Sequence, residues 1–375
     1  MDINLNKLIC HSRIISLAEL VELQSQWLEL ERQANPPFFL RWAWIYNWAY
    51  LAKQSNPQFL FMHTKQGQNT VGLALFTCRR TSPLVGIRLN QLWLHRHGEE
   101  LLDQIWIEHN DVLALPEQTE QVKQAMFAQI CRADKRWHEV YVGMSDKGAL
   151  NNLHLPAFKQ RVIIDSQAFR ASLKNCADLN AYLSSLSKNT RAQIAKSARN
   201  LNQYGDYSLE MAVNEQDKSD YLQHIANLHI ERWGHTLHGS GFSNQTFVDF
   251  HHRLVLQDTE NKNCRLYRLK QNGEALGYVY LLTTEHTWYF YLSAISFHTD
   301  PKIKIGMLLH TLIIQQAIQE RADYYDFMAG EAQYKRSLSN CPEYNQQLVC
   351  YYRPTPFIIV REQLRKLKAW FNQNK

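Results

Sequence analysis

The sequence predicts an α/β (α+β) protein of two similar halves, each a mixed sheet flanked by helices. Three observations predict it. Two β-hairpins of one design recur about 200 residues apart, an interval that suits a duplicated domain and is too long for a solenoid. A Trp-containing stretch that reads as largely helical precedes each hairpin. A run of strand, helix and strand follows each, which is an α/β or α+β layout.

The first hairpin is FLFMHT (59–64), a turn at Lys65, Gln66 and Gly67, and TVGLALFTC (70–78). The second is CRLYRLK (264–270), a turn at Gln271, Asn272 and Gly273, and ALGYVYLLT (275–283). Asn-Gly is the stronger turn signal of the two. Both second strands carry an early glycine, Gly72 and Gly277. Downstream, the first half offers a helix over 117–133 and a strand over 139–142. The second offers a helix over 307–321 and a strand over 324–327. A further helical stretch, 175–201, joins the halves, and the boundary is expected near Ser166, giving domains 1–165 and 166–375.

The length of 375 residues suits two domains. A composition 45% hydrophobic and 20% charged is that of a folded globular protein, and 12% aromatics argue against disorder. The net charge of +6 is compatible with an anionic ligand, an acidic partner or an anionic membrane surface. No nucleic-acid-binding signature accompanies it, so no nucleic acid is expected. The seven cysteines are odd in number and none forms a CxxC pair, which points to reduced thiols in a reducing compartment. The first residues lack a signal-peptide core, and no stretch approaches the ~20 apolar residues of a membrane span. The expected location is the cytoplasm, with peripheral contact at the inner membrane face left open. Histidine pairs His95/His97 and His251/His252 lack metal-site spacing, so no metal is expected. No GxSxG elbow occurs, and the Gly239–Gly241 pair is not followed by a dinucleotide-binding pattern.

Chemistry concentrates between 287 and 335. TWYFYLSAI reads as a strand, bounded after it by Asp300-Pro301. The loop PKIKIG then leads to Gly306 and an apolar helix, followed by the strand YYDFMAG. Free N–H groups at a helix start attract an anion, and glycine lets the backbone approach it. Lys302 and Lys304 add positive charge. The same pattern also serves as a plain strand–helix turn.

Five segments of the second half stand out: LSKNTRAQIAKSARNL, ERWG with a later Gly241-Phe242, the Asn-Gly hairpin, the strand leading to Gly306, and YDFMAGEAQYK. By these segments the second half resembles the GNAT-type domain of the acetyltransferases assigned to cellulose biosynthesis. The last segment matches that family's Asp-x-x-x-Gly-x-x-x-Tyr-Lys signature through Asp326, Gly330, Tyr334 and Lys335. The first half resembles the N-terminal region of the same family, including IWIEHND (105–111). The resemblance implies tandem GNAT-like domains in a FemAB-like arrangement and an acetyl-CoA or longer acyl-CoA co-substrate. It places the acyl-pantetheine beside Tyr291, Ser293 and Ile295, and the diphosphate at Lys302, Lys304, Ile305, Gly306 and Met307. One departure stands out: only Gly306 matches the usual glycine-rich loop, and Lys304 fills a glycine position.

Acyl transfer needs a base for the acceptor and an acid for the leaving thiolate. The candidates are Asp326 and Glu331 as bases and Tyr334 as acid. Arg232, Trp233 and Lys335 are candidates for holding the acceptor, Arg for an anionic group and Trp for stacking. Each also has a structural reading as a cap, a core anchor or a solvated charge. The first-half helix opens with Pro116, Glu117 and Glu120, which repel phosphate, so only the second half is expected to bind CoA. The first half is then a degenerate copy shaping the substrate cleft.

Two amphipathic helices complete the picture. Over 186–201, Lys188, Arg191, Lys196 and Arg199 fall within an arc of roughly 140°, either a solvated face or a contact for anions. At the C-terminus, Val360, Leu364, Leu367 and Phe371 form an apolar stripe beside Arg361, Arg365, Lys366 and Lys368, which either packs on its own domain or meets an anionic membrane. The leading expectation is acyl transfer to an amine or hydroxyl of a small-molecule, glycan or lipid acceptor, in polysaccharide or envelope biosynthesis. Two rivals remain, a FemAB-like aminoacyltransferase using aminoacyl-tRNA and an inactive GNAT-like scaffold.

Overall fold

Both hairpins form, turning at Gly67-Gln68 and Asn272-Gly273, while Lys65, Gln66 and Gln271, expected in the turns, are paired strand residues. The computed structural model describes residues 7–132, 136–153, 155–236, 239–296, 300 and 302–373. The chain divides into two units by its internal contacts. The first is Met1–Glu99, Ile107–Asp165 and Gln346–Lys375, and the second is Glu100–Trp106 and Ser166–Asn345. Pro301 and Ala133, which the sequence placed at a strand-bounding loop and a helix end, lie outside the described residues.

In the first unit the elements are β1 (Leu8–Ile15), α1 (Leu17–Glu22), α2 (Gln24–Ala34), α3 (Trp42–Leu51), β2 (Phe59–Gln66), β3 (Asn69–Leu84) and β4 (Ile87–Leu94). After α4 (Glu100–Asp103), which belongs to the second unit, come β5 (Leu113–Ala114), α5 (Thr119–Arg132), β6 (Glu139–Asp146), α6 (Lys147–Asn151) and the start of β7 (Lys159–Ser172). Strands β1 to β4 form an antiparallel meander, and β4 then pairs parallel with β6 at three positions, Gln91↔Glu139 to Trp93↔Tyr141. Helix α5 makes the crossover. Its apolar residues Val122, Met126, Phe127 and Ile130 recur at helical spacing and bury against Phe76, Leu92 and Val140 of the sheet. The tryptophans of the N-terminal helices, Trp27, Trp44 and Trp48, are fully buried with Phe38 and Phe39. Pro36 and Pro37 break that region, so it forms α2, a short 3₁₀ turn (Phe38–Leu40) and α3.

In the second unit the end of β7 leads to α7 (Leu179–Ser184), α8 (Lys188–Asn202), β8 (Tyr207–Met211), α9 (Glu215–Trp233) and α10 (Gln245–Gln257). There follow β9 (Cys264–Gln271), β10 (Glu274–Thr283), β11 (Thr287–Ile295), α11 (Ile305–Gln319), β12 (Tyr324–Ala329), α12 (Gln333–Leu338), and β13 (Tyr344–Tyr352), which starts in this unit and ends in the first. The sheet order is β7-β12-β11-β10-β9-β8. All pairs are antiparallel except β11 with β12. The expected helix over 175–201 is two helices, because Asp178 and Ser187 each accept a backbone N–H and cap a separate start. The β9–β10 turn uses Asn272 and Gly273 with φ of 50° and 89°, the left-handed pair that this tight hairpin requires.

The two units share one motif. An antiparallel meander ends on a strand that pairs parallel, over three positions, with the strand beyond a crossover helix. The expected sequence division, 1–165 and 166–375, shares with the structural one the break between Asp165 and Ser166. The last residues differ: β13 pairs with β6 from Gln346↔Asp146 to Tyr352↔Glu139, and α13 (Pro356–Gln373) is tied there by Arg361 to Glu139 and Glu362 to Arg161.

Candidate functional site

The site begins with a strand that loses a neighbour. On one side β11 pairs with β10 from Trp288↔Thr283 to Ile295↔Gly277, with a register shift at Tyr291. On the other it pairs with β12 only at Thr287, Trp288 and Tyr289. Two parallel strands joined at one end and separate beyond it leave the later residues of β11 without a ladder on that side. A cavity of about 630 Å³ lies at the far end of β11, lined there by Ser293, Ile295 and Ser296.

The start of α11 forms a second wall, with Ile303, Lys304, Ile305, Gly306, Met307 and His310. In this unit α7, α8, α9 and α10 are each capped by a side chain, from Asp178, Ser187, Asn214 and Asn244. Among the described residues no side chain caps α11, whose N-cap is Lys304. Unsatisfied N–H groups at a helix start carry partial positive charge and suit an anion. Among the described residues, a Cβ at Gly306 would meet nothing nearer than Ile295 Cγ1 at 4.0 Å. The fold itself therefore does not require glycine here, and its absence of a side chain keeps the helix start open to the cavity. Lys304 donates its N–H to Ser197 Oγ of α8 at 3.1 Å, fixing the approach to the helix, and its side chain is exposed. Lys302 is exposed and lies outside the lining. Asp300, which does line the cavity, accepts the Lys302 N–H at 2.8 Å.

A third wall comes from α12, through Gln333, Tyr334 and Ser337. Tyr334 is held by rings: it lies parallel to His310, with centroids 5.3 Å apart and an interplanar angle of 11°, and edge-on to Phe290 at 6.4 Å. Burial pushes its phenol up to about 12, so it stays protonated through the physiological range. His310 is buried, with Nδ1 at 2.9 Å from the Tyr325 hydroxyl, and burial lowers its pKa to about 3. It is therefore a neutral ring. Gln193 of α8 and Arg232 at the end of α9 complete the lining.

Of the residues expected from sequence, the structure thus brings together Ser293, Ile295, Lys304, Ile305, Gly306, Met307, Tyr334 and Arg232. The others stand apart from the lining. Asp326 is buried, where its carboxylate accepts the Tyr344 hydroxyl at 2.9 Å and the Met328 N–H at 2.7 Å, with Arg170 at 3.6 Å. Lys335 is buried and donates to the Ala329 carbonyl at 2.6 Å, closing the loop before α12. Glu331 is exposed in that loop. Tyr291 is covered by α10, with its hydroxyl 2.9 Å from His251 Nε2 and a further bond to the Ile105 carbonyl. Trp233 is exposed at the rim, with the Arg232 guanidinium 5.0 Å from its ring centre.

Sequence reasoning passed over His310, Gln193, Gln333 and Ser337. A signal existed for His310, which follows Gly306 by one helical turn and shares its face. The four basic residues of α8 are all exposed, while Gln193 of the same helix reaches the cavity. Among the described residues no group of three or more His, Cys, Asp or Glu could hold a metal ion.

Residues 188–336 match the family model of the acetyltransferase (GNAT) domain. No curated protein sequence matches the chain. Among solved structures, FemX is similar in fold, with a TM-score of 0.55 at 10% identity, covering 82% of this chain and 90% of that one. So is the C-terminal domain of a protein from Agrobacterium fabrum named for lysylphosphatidylglycerol synthetase, with a TM-score of 0.50 at 12% identity, covering 93% and 96%. At these identities the likeness is one of fold. The matched span runs from the start of α8 to Arg336 in α12, so it takes in all of the cavity lining except Ser337. The match to the acetyltransferase (GNAT) domain model thus spans residues 188–336, within a mixed α/β chain whose fold resembles that of FemX.

Proposed function

We propose that the second unit transfers an acyl group from an acyl-CoA to an amine or hydroxyl acceptor. The observation that carries this is the uncapped start of α11, open at Gly306, beside the unladdered end of β11. The first-turn amides of α11, with Lys304, bind the diphosphate. The backbone of β11 around Ser293 and Ile295 pairs with the pantetheine amides, which the missing strand would otherwise occupy. Tyr334, kept neutral, stands at the cavity wall to donate its proton to the sulfur as the acceptor forms its new bond to the acyl carbon and the C–S bond breaks, and the proton that the acceptor loses restores the phenol. His310 holds the Tyr334 ring. Arg232, with Trp233 beside it, receives the acceptor at the rim. Asp326 and Lys335 hold the strand and loop that carry Tyr334, so they support the site from outside it. An acceptor in polysaccharide or envelope biosynthesis fits this role.

The test is thermal unfolding with acetyl-CoA, a long-chain acyl-CoA and free CoA, coupled to thiol release in the presence of amine and alcohol acceptors. A ligand at ~100 times its dissociation constant adds about 2.7 kcal/mol of stability. No shift with any of the three, together with retention of tRNA at moderate salt, would move the donor to an aminoacyl-tRNA. No response to either would leave a scaffold.

A further inference from the structure

The first unit exposes two apolar features that acyl transfer does not use. One is the outer face of α13. At about 100° per residue, Val360, Leu364, Leu367, Trp370 and Phe371 fall within an arc of ~120°. Each is 53% to 61% exposed. The helix is anchored from its opposite side, where Ile358 is fully buried and the buried Glu362 takes Arg161 and Arg365. Lys366 and Lys368 sit ~40° beyond the two edges of the arc, one on each side.

The other feature is the tip of the β3–β4 hairpin. The strands run out from the sheet to Leu84 and Val85, both exposed, and turn at Gly86 with φ of 80°. Arg80 and Arg88 flank the tip and are exposed. The two features share a root. Ile87 and Leu89 of the hairpin pack in one small cluster with Phe357 and Ile358 of α13, over Tyr141, Cys350 and Tyr352.

Apolar surface of this extent on a folded protein marks an interaction site. The chemistry of its border selects the partner. A centre of Leu, Val, Trp and Phe ringed by Lys and Arg matches the interfacial zone of an anionic bilayer, where the rings and aliphatic groups enter the acyl boundary and the cations meet the headgroups. A second copy of the chain would bring lysine rims of like sign together. No helix among the described residues is long and apolar enough to cross a membrane, so contact of this kind is with the surface. We propose that the first unit docks on an anionic lipid bilayer through the outer face of α13 and the β3–β4 tip.

The test is co-sedimentation of the full chain with vesicles of phosphatidylcholine alone and of phosphatidylcholine with phosphatidylglycerol, across a salt series. Binding to the anionic vesicles that weakens as salt rises is expected. The variant K366Q/K368Q should lose about fivefold in affinity per lysine, the equivalent of ~1 kcal/mol each. V85E and L364E/L367E, changes at exposed positions, should each lose at least tenfold while keeping the parent's unfolding temperature. Equal binding to neutral vesicles, no binding at low salt, or unchanged binding by all three variants would overturn the proposal. So would a concentration-dependent dimer that L364E/L367E dissolves, since the face would then belong to a second copy. Stabilisation by acetyl-CoA is read separately in the same preparations, so failure here is distinct from failure of the acyl-transfer proposal.

Discussion

Tyr334 lies flat against His310, their ring centres 5.3 Å apart and their planes 11° from parallel, inside the wall of the cavity. One ring stays protonated and the other stays neutral for the same reason, burial. If Tyr334 donates the proton to the leaving thiolate, Tyr334→Phe should lower kcat by about 10² or more while leaving the donor's dissociation constant within a factor of about two. The phenyl ring keeps the stack, so the unfolding temperature should barely move. Steady-state kinetics and a donor titration on the same protein check this.

Gly306 offers a paired test of fold against function. Its Cβ position is open and it sits in the first turn of a helix, so Gly306→Ala should leave stability unchanged or raise it by up to ~1 kcal/mol. Gly306→Glu places a carboxylate where the diphosphate is expected and should weaken acyl-CoA binding by at least tenfold. Denaturant midpoints and donor titrations separate the two effects.

Asp326 should behave in the opposite way. Its carboxylate is shared by Tyr344, Arg170 and the Met328 amide. Asp326→Ala leaves those partners unsatisfied and should cost about 2 kcal/mol or more in urea unfolding. Activity per folded molecule should fall far less than in Tyr334→Phe.

Acid should destabilise the protein through its buried histidines. His95 has its pKa lowered to about 4 and His310 to about 3, while His251 is lowered well below its ordinary value, each by burial. A group whose folded pKa is depressed contributes stability that is present above the unfolded value, near 6.5, and is lost as pH falls toward the folded value. Each such histidine adds a slope of up to about 1.4 kcal/mol per pH unit below 6.5. Unfolding free energy measured from pH 7.5 to 4.5 should drop across that window, and His310→Gln should make the drop shallower.

Much of this molecule is legible in its sequence where local chemistry decides the outcome. Asn272-Gly273 and Gly67 fix the two hairpins, and TWYFYLSAI becomes β11 residue for residue. Gly306 stands out because a glycine after two lysines, opening an apolar helix, has a ligand-binding reading. What escaped the sequence depends on contacts between distant segments. Asp326 looks like a base on the page. Its contacts with Arg170 and the Tyr344 hydroxyl appear only in the folded chain, where β7 pairs with β12. The strand Tyr344–Tyr352 is buried at every residue from Gln346 onward, and nothing in its sequence names β6 as its partner. His310 sits inside an apolar run and reads as core, which it is. Only the fold shows that it is also the floor under Tyr334.

The central claim is an anion-binding helix start at Gly306, and isothermal titration of the full chain with acetyl-CoA tests it most directly. Saturable one-site binding by the parent that is lost in Gly306→Glu, while the variant unfolds at the parent's temperature, is the expected result. Binding of equal strength in both proteins, or heat of dilution alone in the parent, would contradict it.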